Sequence, residues 1–372
     1  MGNVFITIGL MCLPFSLIDS AIQRKERKSL SEKILGKNCF LIICGIILFF
    51  SFFRHPLIGT DSINNYNAFG AIANNPEQVN YGIGYIKLVQ IFQIFSIDYT
   101  VFTKLCTLII MLPIIYVISK CPYRSFLLVL FALGELNATF DVIKGFISFS
   151  FVIVGFYLWD MKGKKIGILL AVASLLFHLS SVFFLVVYIA ARIIKSRKIY
   201  FIMAGIGIIF VATPFFGNAM DYIISIAATV SSRFLSYIGT FGVNADFSLT
   251  YVVIFLIPNA LALYYYPNLQ FINKRKKDEV LSYKKLNAED KSIRTCINIS
   301  WILFIIAIIS TWMPVLNRYL KLSLIFTYIL FAYCLKKEER LNNRIVLMFF
   351  MLLVNIVFAY LNNGGFVYEF LF

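Results

Sequence analysis

Charge is scarce in this chain and unevenly shared. Only 14% of its 372 residues are charged, and 18 acidic residues face 34 basic ones, for a net charge of +16. With 60% hydrophobic residues and a mean hydropathy of +0.84, that scarcity excludes an ordinary soluble domain. Histidine is rarer still, with His55 and His178 alone, so no histidine cluster can hold a metal. The seven cysteines (Cys12, Cys39, Cys44, Cys106, Cys121, Cys296, Cys334) have no metal-ligand spacing and outline no disulfide framework. No basic stretch precedes the first apolar run. That run therefore reads as an uncleaved helix with its N-terminus outside, not a signal peptide. Internal repeats, low-complexity tracts and a soluble domain are also missing.

Long apolar runs rich in Phe, Ile and Leu dominate what is present, and barrel-strand spacing does not. In lipid such runs satisfy their backbone groups as α-helices. The expected fold is all-α, a single polytopic membrane domain over 1–372. Twelve runs read as helices, at about 2–18, 38–53, 98–119, 125–140, 142–160, 165–177, 179–194, 199–214, 249–266, 297–313, 319–335 and 345–361. Basic residues cluster between them, chiefly at 24–37, 162–165, 192–198, 274–294 and 336–344. If all twelve runs cross, every cluster falls on one side, which the positive-inside rule makes cytoplasmic. The net charge is thus a matter of topology and anionic lipid, with no nucleic acid implied.

Residues 166–191 test the scheme, being 26 apolar residues with basic clusters at both ends. One crossing would put a cluster outside. Two short helices turning at Phe177–Ser181 keep both inside and lift His178 to the outer face. The segment 82–96 is apolar but short and carries Lys87, Gln90 and Gln93, so it reads as an interfacial or re-entrant helix. Outer loops are then expected at about 54–97 and 215–248, with a cytoplasmic loop at about 267–296.

Four cations have no topological reason for their positions: Arg54, Lys144, Arg233 and Arg318. Arg54 opens an outer loop that continues through Gly59, Asp61 and Tyr66; it either snorkels to headgroups or binds an anion. Lys144 enters the outer end of a long apolar helix, where a charge costs about 2.5–3.5 kcal/mol, and it either pairs with Asp141 or serves a function. His178 is either a satisfied core residue or a proton acceptor at its turn. Arg233 with Tyr237 and Arg318 with Tyr319 complete an outer-face set suited to a pyrophosphate, because guanidinium binds phosphate oxygens in pairs.

The pattern Arg54, Gly59, Asp61, Tyr66 resembles the first outer loop of the EpsG-like members of the Wzy-type polysaccharide polymerases. Tyr81-Gly82-Ile83-Gly84-Tyr85 is similar to that family's glutamate-proline-glycine-aromatic segment, with the Glu missing. Asp141-Val142-Ile143-Lys144-Gly145 is similar to its arginine-glutamine-glycine helix start, with Lys in place of Arg. Leu176-Phe177-His178-Leu179-Ser180-Ser181 matches its phenylalanine-histidine-x-serine turn.

The resemblance, over about 50–330, implies a GT-C-like membrane glycosyltransferase without cofactor or metal, in a bacterial inner membrane with its site facing the periplasm. Its substrate would be an undecaprenyl-pyrophosphate-linked oligosaccharide. Arg54, Lys144, Arg233 and Arg318 would hold the pyrophosphate, His178 or Asp61 would be the base, and Tyr66, Tyr237 and Tyr319 would contact sugar. Membrane lipids, a chain-length regulator and a flippase are the implied partners. A flippase should show internal repeats, and an O-antigen ligase a larger outer loop. A lipid-phosphosugar transferase should show paired acids in the first outer loop, where Asp61 stands alone.

Overall fold

The computed structural model describes residues 3–25, 27–59, 61–79, 81–179, 181–194, 197–212, 222, 225–226, 245–266, 288–310 and 316–363. Among these residues the regular structure is helical and there is no strand. It divides into two compact units, Met1–Val186 with Asn355–Phe372, and Val187–Val354.

The first unit is built from α1 (Val4–Arg24), α2 (Leu30–Phe52), α3 (Ser62–Asn74), α4 (Ile83–Ile94), α5 (Tyr99–Ile118), α6 (Arg124–Gly134), α7 (Leu136–Asp141), α8 (Ile143–Phe156) and α9 (Ile166–Ala173). Caps start several of them. Asn3 accepts from Phe5 N at 3.1 Å and donates to Ala359 O at 2.7 Å, and Ser29 with Glu32 forms a capping box at α2. α1 packs on α2 and α6, and α5 packs on α8, which packs in turn on α9. α10 (Ser181–Ile193) leads into the second unit, where α11 (Arg197–Ala212), α12 (Ala245–Tyr265), α13 (Ala288–Ser310) and α14 (Leu316–Lys337) pack together. α15 (Leu341–Asn363) begins there and ends in the first unit.

Within the described residues, each apolar run read from the sequence falls on helix, but length separates them. Seven helices are long and apolar enough to cross a membrane: Val4–Arg24, Leu30–Phe52, Tyr99–Ile118, Ile143–Met161, Glu289–Ser310, Leu316–Lys337 and Leu341–Leu361. Others, including Arg124–Gly134, Ile166–Leu176 and Ser181–Ile193, fall short of the roughly 20 residues a full span needs. Among the described residues, seven of the twelve runs thus reach the length of a full span. The run 125–140, read as one helix, is broken at Glu135 into α6 and α7. The run 166–191 is two helices separated at Phe177–Leu179.

Apolar side chains stand exposed along several helices, such as Leu10, Leu17, Leu41 and Phe49 in the first unit and Ile345, Phe349 and Leu353 on α15. Water would not tolerate such faces and hydrocarbon does. The interior holds polar groups instead: in the second unit Asn259 donates to Ser300 O at 3.1 Å and Asn298 to Ala191 O at 2.6 Å. All seven cysteines are buried thiols, and burial pushes Cys121 up to about 12.

With lipid outside, helix association depends on close contact more than on the hydrophobic effect. α8 and α9 meet closely, and a Cβ on Gly155 would lie 2.6 Å from Gly167 O. Gly167→Leu should therefore lower the melting temperature of the purified protein, whereas the same change at Gly205, which has open space around it, should have little effect.

A polar lock closes the turn between α14 and α15. The Glu338 carboxylate accepts from the Tyr265 hydroxyl, from Arg340 N at 2.8 Å and from Asn343 Nδ2 at 3.4 Å. The Tyr265 hydrogen bond, then the Arg340 amide, hold Glu338 below the usual carboxylate range. A depressed carboxylate stabilises the fold above its unfolded value of about 4.3 and loses that contribution as pH falls below it. Glu338→Gln should flatten the fall of melting temperature between pH 5 and 3, which a pH series of thermal melts would show.

Candidate functional site

The sequence patterns that fall on the first unit come together around the α7–α8 junction. Arg54 follows α2 and is 4% exposed. Its guanidinium carbon lies 4.3 Å from the centroid of the Phe140 ring, the penultimate residue of α7. That distance suits a cation–π contact and shows how a charge is kept below the surface. The ring of Phe140 has Phe5 of α1 at 5.9 Å on another side.

Gly59 sits in the same loop at φ +120°, and a Cβ there would run into Asp141 Oδ1 and lie 3.4 Å from Asp141 Cα. Both the dihedral and the contact require glycine. Asp61 is the residue before α3 and is half-buried. Tyr66, one turn into α3, is 52% exposed and meets the Tyr99 ring edge-on at 5.2 Å, and the Tyr99 hydroxyl donates to Ser62 O at 3.3 Å. The loop from Arg54 to Tyr66 is thereby fixed to α5 and to the end of α7.

Lys144 opens α8. Its ammonium lies 3.3 Å from the centroid of the Tyr81 ring and 5.8 Å from that of Tyr85. Beside Asp141, three residues earlier, the aromatic pair of the 81–85 segment is a contact for Lys144 that the sequence could not supply. Tyr81 and Tyr85 meet edge-on at 5.8 Å.

The segment that carries these rings also sets the histidine turn. A Cβ on Gly82 would lie 2.5 Å from Leu176 O and 2.6 Å from Phe177 O, so the start of α4 lies directly on the backbone that precedes His178. Ser148 of α8 donates to Ser174 O at 3.0 Å, and Phe151 stacks on Phe177 at 4.9 Å. Ser181 Oγ donates to His178 O at 2.5 Å and closes the turn. His178 itself is half-buried. Beside this turn, Leu108, Leu112, Phe151, Val154 and Leu170 line an apolar groove of about 440 Å³.

Arg54, Asp61, Lys144 and His178 thus lie along one continuous line of contacts. Arg318 and Tyr319 belong to the second unit, at the start of α14, where Arg318 is exposed and Tyr319 half-buried. Arg233 and Tyr237, with the 215–248 loop around them, lie outside the described residues, as does most of the 267–296 loop. Sequence reasoning passed over Glu135 and Asn137, which are 0% and 3% exposed at the break between α6 and α7. An acid inside an apolar run was the signal available.

The Gly59–Asp141 contact makes a double-mutant test possible. Gly59→Ala should destabilise the purified protein by roughly 1–3 kcal/mol from dihedral strain, plus the clash. Asp141→Ala in the Gly59→Ala background should recover the clash component. Additive melting shifts would mean that the two residues do not touch.

Comparison with protein-family models matches the EpsG family over residues 37–370. No curated protein and no solved structure matches. The match covers nearly the whole chain, from the middle of α2 past the end of α15, and includes every element that builds the site. The chain belongs to the EpsG family, a family of Wzy-like polymerases.

Proposed function

We propose that this protein is a membrane polysaccharide polymerase that joins undecaprenyl-pyrophosphate-linked oligosaccharide repeats at the periplasmic face of a bacterial inner membrane. The observation that carries the reading is the placement of a half-buried Lys144 and a half-buried His178 on one glycine-packed frame, with an apolar groove beside it.

The chemistry needs three things. A sugar hydroxyl of the incoming repeat attacks the anomeric carbon of the growing chain, its proton passes to a base, and the bond from that carbon to the lipid pyrophosphate breaks. The leaving group departs with negative charge that fixed cations must meet. Lys144 is the described cation best placed beside the histidine turn. Arg318 and Arg233 are assigned to the pyrophosphate by their residue type and by the family resemblance. Arg54, buried against Phe140, is assigned a supporting contact.

His178 is the preferred base, because an unperturbed imidazole near pKa 6.5 accepts a proton without large tuning. Asp61 is the alternative, or the group that orients Arg54. Tyr66 has the exposure a sugar-stacking ring needs, and Tyr237 and Tyr319 are assigned alongside it. The groove lined by Leu112, Phe151 and Leu170 has the apolar character that a polyprenyl tail requires.

Deletion of the gene should replace long surface polymer with single-repeat product on a polysaccharide gel, and complementation should restore the polymer. Loss of all surface product would instead indicate a flippase, and polymer retained on its lipid carrier a ligase. Arg318→Ala should abolish polymer, and His178→Ala should lower the rate by about 10²–10⁴. Lys144→Arg should keep more activity than Lys144→Ala, since both cations can rest on Tyr81. A tag at position 178 should be reachable from the periplasm; cytoplasmic labelling would overturn the assigned sidedness.

A further inference from the structure

The first unit holds a second cavity, at the end where α1 runs into α2, that polymerisation leaves unused. Its volume is about 310 Å³, and Asp19, Gln23, Lys28, Lys33, Lys37 and Arg124 line it. The rear wall is a fixed polar assembly. Asp19 is fully buried, and its Oδ2 accepts from Ser125 Oγ at 2.5 Å, from Gln23 Nε2 at 2.7 Å and from Arg124 Nε at 3.4 Å. Gln23 Oε1 accepts from Tyr123 N at 2.8 Å, and Tyr123 turns the chain into α6 with φ +50°. The Arg124 guanidinium also lies 5.0 Å from the centroid of the Phe40 ring.

Two features of this wall call for a ligand. The other carboxylate oxygen, Asp19 Oδ1, is buried and has no hydrogen-bond partner. Such an orphan is costly, and a donor from a bound molecule would satisfy it. In front stand Lys28, Lys33 and Lys37, none of which forms an ion pair among the described residues, while Glu32 close by is taken by Lys25. Lys33 and Lys37 are four residues apart on α2, a like-charge spacing that weakens a helix. Among the described residues that line it, four cations face one carboxylate, an excess of three positive charges.

We propose that this cavity is a binding site for a phosphodiester with a hydroxylated headgroup, of the kind an anionic glycerophospholipid presents. Lys28, Lys33 and Lys37 hold the phosphate, Arg124 is kept in place by Asp19, and a headgroup hydroxyl donates to Asp19 Oδ1. Basic pockets between helices at this depth are the usual form of such sites. A soluble glycerol phosphate carries the same groups, so the test separates the two sources.

The protein purified in a neutral detergent is melted with added dioleoyl phosphatidylglycerol, dioleoyl phosphatidylcholine or glycerol 1-phosphate. Phosphatidylglycerol should raise the melting temperature, and phosphatidylcholine should not. In the variant K28Q/K33Q/K37Q the apparent affinity for phosphatidylglycerol should fall roughly a hundredfold if the lysines act independently. In K162Q/K164Q/K165Q, which removes the same charge from a loop away from the cavity, it should stay within a few-fold. Equal stabilisation by phosphatidylcholine, retention of the effect in the first variant, or equal loss in both variants would overturn the proposal. Stabilisation by glycerol 1-phosphate with none by the lipid would overturn the lipid as its source.

Discussion

Lys144 makes the contact that ties together much of the candidate site in the first unit. By resting on Tyr81 it joins the start of α8 to the strip of chain that opens α4. That strip carries Gly82, whose missing side chain lets α4 sit on the carbonyls of Leu176 and Phe177, and so the same contact reaches the histidine turn. In the other direction the α7–α8 junction carries Asp141 against Gly59 and Phe140 against Arg54. The contact runs parallel to the Ser148–Ser174 hydrogen bond and the Phe151–Phe177 stack, which tie α8 to the same turn. A cation–π contact of this kind contributes about 0.5–2 kcal/mol, modest beside the packing around it.

Much of this was legible in the sequence, and the reasons differ from element to element. The helices follow from apolar runs, because lipid leaves the backbone no other outlet. The split of 166–191 followed from charge alone: two basic clusters could not share one crossing, and the chain does break at Phe177–Leu179. The break at Glu135 was passed over, although Gly134 and Asn137 flank it and a glycine at a helix end is a stop signal. Span length was not legible, because it depends on where caps and breaks fall within each run. The site was legible as a set of residue types but not as contacts. Lys144 and Tyr81 are 63 residues apart, and the sequence offered only the neighbour three positions away. The glycines at 59 and 82 could be recognised as a pattern, but the backbone each lies against could not be named.

The two units use polarity differently. In the second, asparagine and serine side chains bind neighbouring helices, as Asn259 does with Ser300 and Asn298 with Ala191, so polar groups act as adhesive. In the first, α8 and α9 approach through Gly155 and Gly167 beside the Ser148–Ser174 hydrogen bond, and charged side chains gather in two places. One gathers Lys144 and the histidine turn, and the other gathers Asp19, Arg124 and the lysines of α2.

The buried cysteines carry a practical corollary. A thiol reacts as thiolate, and all seven lie out of reach of water, with Cys121 held as the neutral thiol by its surroundings. Maleimides and other polar alkylating reagents will therefore find almost nothing to modify in the native protein. A single cysteine introduced at any exposed position becomes the sole reporter in an otherwise silent molecule, so the membrane topology of the whole chain can be mapped residue by residue without first removing the natural thiols and the packing they provide.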